Sequence, residues 1–569
     1  MRKNEYLKWI ESFTINPEIK KQLFLMSESE KEDAFSQKIE FGTAGIRGKI
    51  GPGSNRINHY VVAKTTLGFI QYLKKKHYDI NDSGVCIAYD NRKFSQDFAA
   101  LVANLLAKEN IKAYIFEDLR PTPQLSYMIK YMNCAAGINI TASHNPKEYN
   151  GYKVYDANGC QILPDEISKI VYEIDQIKNE LEIDIDNFGS NNQLIHFLDS
   201  KDDRPFVDAA VECMINKELD VRNHGIVYTP LHGAGGPIIP KALQQAGFTH
   251  IFQVPAQMDA DPNFSTAPEP NPEDIKAFAL GIEKANQLNV DYVIATDPDC
   301  DRVGVCVRRK NGEFKLLSGN ELGAILLEYI LSYRYKQNKL EDNSVMIDTI
   351  VTSDLGKEVA YKYNLTNISV LTGFKYIGSL IEEYSKSHEY KFEFGYEESL
   401  GFLSNPYVQD KDAVSTTIII AEMINHYGTL EKSLLDALVD IYHEHGFYQN
   451  KQVSINLDPL KSKDQVQLIM SFFRNGELES IINQKITKIY DFEFKEIIEN
   501  GKVVSSTNLP ETNAIKIALE DGSWLAIRPS GTEPKLKFYL ASKADTILKA
   551  KDKIQKMNIF INETLESLY

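Results

Sequence analysis

Short apolar runs alternate with amphipathic segments along most of the chain, the pattern that predicts α/β layers. "GVCIAYD" (84–90) and "KAYIF" (112–116) predict strands, and "DFAALVANLLAKENI" between them has helical spacing, so the three predict a βαβ unit. The same reading recurs at "HGIVYTPLHG", "VDYVIATDPD" and "SVMIDTIVTSD", each strand ending in a polar or glycine-containing loop. In open α/β sheets such carboxyl-terminal strand ends are where ligands bind. Polar stretches at 183–205 and near 318 separate these units. After about residue 446 the pattern becomes one of alternating strands, closed by a helix predicted from about 544 to the end. The predicted domains are 1–203 with N-terminal helices, 204–317, 318–445 and 446–569.

Composition narrows the function. At 569 residues, with 43% hydrophobic and 25% charged residues, the chain is that of an ordinary globular protein of several domains. A formal charge of −16 argues against a nucleic-acid or anionic-membrane surface, so any anionic ligand must be held by local cations. Cys86, Cys134, Cys160, Cys213, Cys300 and Cys306 have no metal spacing and predict reduced thiols in a cytoplasmic protein. "MRKNEYLKWIESF" lacks a signal-peptide core, and no apolar run approaches a membrane span.

Four loops carry candidate chemistry. "ITASHNP" places Ser143 after the strand "AAGINI", either as a nucleophile or as one of several turn-capping polar residues. "TDPDCDR" puts Asp297, Asp299 and Asp301 at alternate positions past a strand. Three crowded carboxylates repel unless a cation such as Mg²⁺ sits among them; the alternative is a solvated acidic turn. Arg302 beside them could orient a carboxylate or meet a phosphate. "GYEESLG" offers Glu397, Glu398 and Ser399 to sugar hydroxyls, or is an exposed acidic turn. "RPSGTEPK" joins Arg528, with its planar fork, to the small residues Ser530, Gly531 and Thr532 and to Lys535, a phosphate cradle unlike a Walker loop. A nucleophile, a cation cluster, a polyol reader and a phosphate cradle together suit phosphoryl transfer between serine and a sugar phosphate.

These four loops, in this order and spacing, resemble the signature loops of the α-D-phosphohexomutases. "EFGTAGIRG", "TPLHGAGG", "PNPED" and "TGFKYIG" extend the resemblance over nearly the whole chain, and "FGTAGIRG" and "GYEESLGF" look most like the bacterial phosphoglucomutase branch. The resemblance implies three consecutive α/β domains with mixed sheets and a smaller C-terminal α+β domain around a central cleft. It implies that Ser143 carries the phosphoryl group and joins Asp297, Asp299 and Asp301 in holding one Mg²⁺. Arg47, His144 and Lys153 would border the transferring phosphate, with Lys153 a candidate acid/base if neighbouring cations lower its pKa. Thr372, Gly373, Lys375, Glu397, Ser399 and Arg302 would contact substrate. Arg528, Ser530, Gly531, Thr532 and Lys535 would hold the phosphate not in transfer, and glucose 1,6-bisphosphate would be intermediate and activator. The implied partner is a hexose phosphate, with no nucleic acid or membrane, for a monomer or homodimer.

Two departures bear on substrate and metal loop. Gly401 stands where mutases that handle both mannose and glucose phosphates commonly have histidine, which favours glucose; mannose and pentose phosphates remain alternatives. Cys300 replaces a small residue inside the aspartate loop, and its side chain is expected to point away from the metal. A non-catalytic phosphosugar-binding protein would not need the serine and all three aspartates, and a metal-dependent phosphatase would use aspartate as nucleophile.

Overall fold

The computed structural model describes residues 3–42, 45–77, 79–186, 192–221, 224–457, 462–474, 478–530 and 535–568. The chain forms two compact units, Met1–Ser318 with Phe374–Gly395 and Ser399–Glu431, and Gly319–Gly373 with Tyr396–Glu398 and Lys432–Tyr569.

The first unit contains two mixed sheets. One is built from β1 (Ile46–Lys49), β2 (Val85–Tyr89), β3 (Ala113–Phe116), β4 (Ala136–Ile140), β5 (Tyr149–Asp156) and β6 (Ile195–Leu198) in the order β1-β5-β4-β2-β3-β6. β4, β2, β3 and β6 run parallel, while β5 is antiparallel to both β4 and β1. Every residue of β2 and β4 is buried, as near-continuous apolar strands inside a parallel sheet must be. Helix Ser95–Lys108 joins β2 to β3 and buries Phe98, Leu101, Val102, Leu105 and Leu106, one stripe at helical spacing. The predicted βαβ unit is therefore present. The second sheet comprises β7 (Ile226–Thr229), β8 (Ile251–Gln253), β9 (Tyr292–Thr296), β10 (Val303–Arg308) and β11 (Phe314–Leu316), ordered β11-β10-β9-β7-β8. Three N-terminal helices, Lys3–Glu11, Pro17–Leu25 and Glu28–Phe35, pack around Trp9, Leu23 and Phe35.

In the third α/β stretch, β12 (Ser344–Thr349) and β13 (Thr366–Val370) pair in parallel within the second unit. β14 (Lys391–Glu397) begins in the first unit and ends in the second, and β15 (Gly401–Leu403) lies in the first. The last sheet is antiparallel: β16 (Phe447–Asn456), β17 (Ser480–Ile481), β18 (Gln484–Asp491), β19 (Glu496–Glu499), β20 (Lys502–Ser506), β21 (Ile515–Leu519), β22 (Trp524–Pro529) and β23 (Lys535–Ala544).

Two expectations are corrected here. The all-strand reading after 446 overlooked helix Ser462–Arg474, whose Ile469, Met470 and Phe473 enter the same core as Ile554, Met557 and Ile561 of the last helix. That last helix starts at Ile547, because β23 stays paired with β16 through Ala544. Among the described residues no helix is long and apolar enough to cross a membrane.

Candidate active site

Ser143 lies just past β4, buried, with a left-handed backbone at φ +53°. A serine holds that conformation at a cost, so its surroundings must enforce it. They do so through a chain of bonds that starts at the end of β2. Thr141 Oγ1 donates to Asp90 Oδ2 at 2.7 Å and accepts from the Ser143 N–H at 2.8 Å. Arg92, ion-paired through Nε with Asp90 Oδ2 at 3.1 Å, donates to the carbonyls of Ser143, Asn145, Pro146 and Tyr149. One guanidinium thus staples the loop at four carbonyls. Gly151 of β5 crosses beneath it; a Cβ there would come within 2.4 Å of the Thr141 carbonyl oxygen.

The aspartate loop follows β9. Asp297 Oδ1 accepts the N–H groups of Asp301 and Arg302 at 3.1 and 3.0 Å, closing a tight turn. The "TPLHGAGG" loop packs against it, with the Ala234 N–H donating to the Pro298 carbonyl at 2.8 Å and Gly233 so close that a Cβ would lie 2.5 Å from Pro298 Cα. Cys300 also sits at positive φ, and its thiol lies beside Gly235 and Thr296, within reach of the Asp297 charge. Burial pushes that thiol well up, so it is inert.

The two loops meet. Ser143 Oγ donates to Asp297 Oδ2 at 2.7 Å and stands 3.2 Å from His144 Nδ1. Lys153, carried by β5, reaches Asp299 Oδ2 at 2.7 Å and Asp301 Oδ2 at 3.6 Å. Carboxylates are its direct partners because β5 delivers residue 153 beneath the aspartate turn, and the cation Lys411 shares Asp301 Oδ2 with it. Arg47 of β1 donates to Asn145 Oδ1 at 2.9 Å, and Arg302 donates to the Ser399 carbonyl at 3.1 Å, tying the sugar-loop serine to the aspartate turn. Lys375 is buried, its carbonyl facing the Cys160 thiol.

Electrostatics explain why this centre calls for a cation. Asp297, Asp299 and Asp301 are buried, and one oxygen from each lies within 4.8 Å of the others. Burial, then the charges of Asp299 and Asp301, push Asp297 well above the carboxylate range. Burial also works against the charge on Asp299, but Lys153 and the hydrogen bond from Asp297 outweigh it and hold Asp299 ionised. Asp299 Oδ1 is buried with no hydrogen-bond partner among the described residues. Both Asp301 oxygens likewise lack a hydrogen bond among the described residues, and hard oxygen donors left unsatisfied suit Mg²⁺ with Ser143 Oγ alongside. Burial, reinforced by Arg302 and Arg47, drives His144 well below its usual pKa and leaves it a neutral imidazole.

In the second unit, Arg528 at the end of β22 donates through Nη1 to Thr372 Oγ1, and the neighbouring Gly373 N–H donates to Glu397 Oε1 at 2.9 Å. Residues read from three separate motifs are thus linked. The Ser530 N–H donates to the Lys535 carbonyl at 2.8 Å, closing the base of the cradle loop. Gly531 and Thr532 lie outside the described residues. Glu398 accepts from Thr349 Oγ1 at 3.3 Å rather than pointing free as a paired glutamate.

Sequence reading missed Arg92, Asp90, Thr122 and Lys411. Thr122 donates to Asp299 Oδ2 at 3.1 Å, and Lys411 lies 3.0 Å from Asp301 Oδ2. "AYDNRKFS" ends a strand like the other loops, so the strand-end rule could have found Asp90 and Arg92. Lys411 carries no such signal.

Comparison with known proteins bears on the family and the fold. Residues 38–181, 204–312 and 318–443 match the phosphoglucomutase/phosphomannomutase alpha/beta/alpha domains I, II and III, and 482–552 match the C-terminal domain. The chain is 37% identical to a phosphoglucomutase of Staphylococcus haemolyticus over 522 residues, 90% of this chain and 92% of that protein. Among solved structures, a phosphoglucomutase/phosphomannomutase family protein from Burkholderia thailandensis has the same fold, with TM-score 0.64, 16% identity and coverage of 91% and 96% of the two chains. The pp63/parafusin phosphoglucomutase of Paramecium, in its open form, gives TM-score 0.66 at 17% identity and covers 93% and 94%. With all four domains matched in order and that identity sustained along the chain, this protein belongs to the phosphoglucomutase/phosphomannomutase family.

Proposed function

We propose that this protein is a phosphoglucomutase that interconverts glucose 1-phosphate and glucose 6-phosphate through a phosphoserine at Ser143 and glucose 1,6-bisphosphate. The observation that carries the reading is the Ser143 hydroxyl 2.7 Å from Asp297, inside a buried triad of carboxylates. In the forward half-reaction the phosphoserine Oγ–P bond breaks and a bond forms from phosphorus to the free sugar hydroxyl, whose proton leaves as the bisphosphate appears. The bisphosphate turns over, and the other phosphoryl group returns to Ser143 Oγ.

Asp297, Asp299, Asp301 and a phosphoserine oxygen at Ser143 would hold Mg²⁺, which supplies charge neutralisation to a loose transition state. The residues do the positioning. Arg92 and Thr141 fix the loop so that Oγ keeps one direction, and Arg47 and neutral His144 border the transferred group. Lys153, between substrate and carboxylates, is the proposed carrier of the hydroxyl proton. Glu397 and Ser399 read the sugar hydroxyls, with Thr372, Gly373, Lys375 and Arg302 completing that contact. Arg528, Ser530, Gly531, Thr532 and Lys535 hold the spare phosphate. Gly401 supports glucose over mannose.

The test is incubation with ³²P-labelled glucose 1,6-bisphosphate, followed by peptide mapping and by chase with each hexose monophosphate. Label should appear on Ser143 and move to both sugars; label on an aspartate, or none, would remove the mechanism.

A further inference from the structure

Away from the aspartates, a cavity of about 510 Å³ opens between residues 37–41, helix His59–Lys76 and helix Pro164–Gln176. That size falls in the range of roughly 300–1,000 Å³ typical of small-molecule sites. Its walls mix polar side chains with an apolar set that includes Ile39, Phe41, Val61 and Ile174. Two buried charges of opposite sign also line it. Lys64 is 8% exposed and has no hydrogen-bond or ion-pair partner among the described residues. Glu180 is 3% exposed; Lys8 Nζ stands 3.8 Å from its Oε2, and its Oε1 is buried without a hydrogen bond.

These two do not pair with each other, although both border the same space. Burial, then the nearby charge of Lys38, lowers the Lys64 pKa; the charges of Glu180 and Asp175 pull the other way, but neither closes an ion pair with it among the described residues. Lys38, Glu40 and Asp175 also line the cavity but are solvated. A charged side chain largely removed from water without a direct partner is costly, and Glu180 Oε1 and Lys64 both lack one among the described residues. A ligand that brings a carboxylate to one end and an ammonium to the other would satisfy both groups at once. We propose that this cavity binds a small zwitterion with an apolar body, of the class of hydrophobic α-amino acids. Its carboxylate meets Lys64, its ammonium meets Glu180 Oε1, and its side chain lies against Phe41, Ile39 and Ile174.

The test is isothermal titration and thermal-shift measurement on the full chain with L-leucine and L-phenylalanine, beside isovalerate and isoamylamine as the two half-ligands. Leucine should bind with a dissociation constant of roughly millimolar or tighter, and each half-ligand at least about tenfold more weakly. Lys64→Met and Glu180→Gln should each weaken leucine at least about tenfold while mutase turnover without leucine stays unchanged. Lys64→Met should also raise the Tm of the free protein, which reports that the variant folds. The proposal is overturned if neither amino acid binds at about 10 mM. Isovalerate binding as tightly as leucine, or leucine affinity unchanged in both variants, would overturn it equally.

Discussion

The proposed bond-breaking centre around Ser143 and the proposed cradle around Arg528 are both polar strand-end loops, yet they are built oppositely. Ser143, Asp297, Asp299, Asp301 and Lys153 are all buried, and each is held by at least one partner from a distant stretch of chain. Arg528, Ser530, Lys535 and Thr372 are only half-buried, and among the described residues Arg528 rests on one side chain, Thr372. Chemistry gains from desolvation, because fixed charges act more strongly where water is excluded. Anchoring needs a surface that exchanges its ligand. The first region should therefore govern turnover, and the second should govern how well either hexose phosphate is gripped.

The comparison breaks first at the nucleophile. Ser143→Ala should lower kcat at least about a thousandfold, some 4 kcal/mol of barrier, with Tm preserved; near-normal turnover would end the distinction. Chelation should come next. EDTA should cost at least about 500-fold, Mg²⁺ should restore it, and Asp299→Asn should fail to recover fully at saturating Mg²⁺. Full activity in metal-free buffer would make the triad a mere turn.

The cradle sharpens the contrast from the other side. Arg528→Ala should lower kcat/KM by about 2–3 kcal/mol for glucose 1-phosphate and glucose 6-phosphate alike. Phosphoryl transfer from Ser143 to a small alcohol without phosphate should be spared; a loss there would place Arg528 in the chemistry instead. A smaller effect belongs to the staple: Arg92→Lys keeps the charge but not the fork, and should lower kcat about tenfold with KM little changed.

The smallest effect concerns the support under the cradle. Lys516 donates to the Ile350 carbonyl, stacks 4.1 Å over Trp524, and is lowered to about 8 by burial and then by Lys357. Its folded pKa lies below its unfolded value, so the ammonium opposes folding below about pH 8 and that penalty fades as pH rises toward the unfolded value. Wild type should gain stability relative to Lys516→Met between pH 8 and 10.5, by a few degrees or less in Tm. A Tm difference flat across that range would count against the shift.

What the sequence made legible follows the same division. Strands such as "GVCIAY" and "AAGINI" are continuous apolar runs, and a buried parallel sheet admits little else, so the α/β layers could be read directly. Asp297, Asp299 and Asp301 announced themselves because three carboxylates in five residues are self-repelling without a cation. Lys411 did not, since it acts on a loop far along the chain and nothing local marks it; Arg92 stands at a strand end, but nothing there marks the distant loop it holds. Helix Ser462–Arg474 was lost for another reason: its apolar spacing sits among strands whose alternation dominated the reading.

Ser143 at φ +53° has a consequence for supply. Threonine would bring the same hydroxyl, but its branched side chain is poorly tolerated in that backbone, so the nucleophile has no ready substitute. The same buried, stapled loop cannot be drawn out as an extended peptide into another enzyme without breaking the bonds to Arg92 and Thr141. A phosphate donor small enough to enter is then the only practical way to charge it. Under the proposed reaction, a freshly made molecule stays silent until it meets a sugar bisphosphate, and each bisphosphate that escapes mid-cycle returns it to that silence.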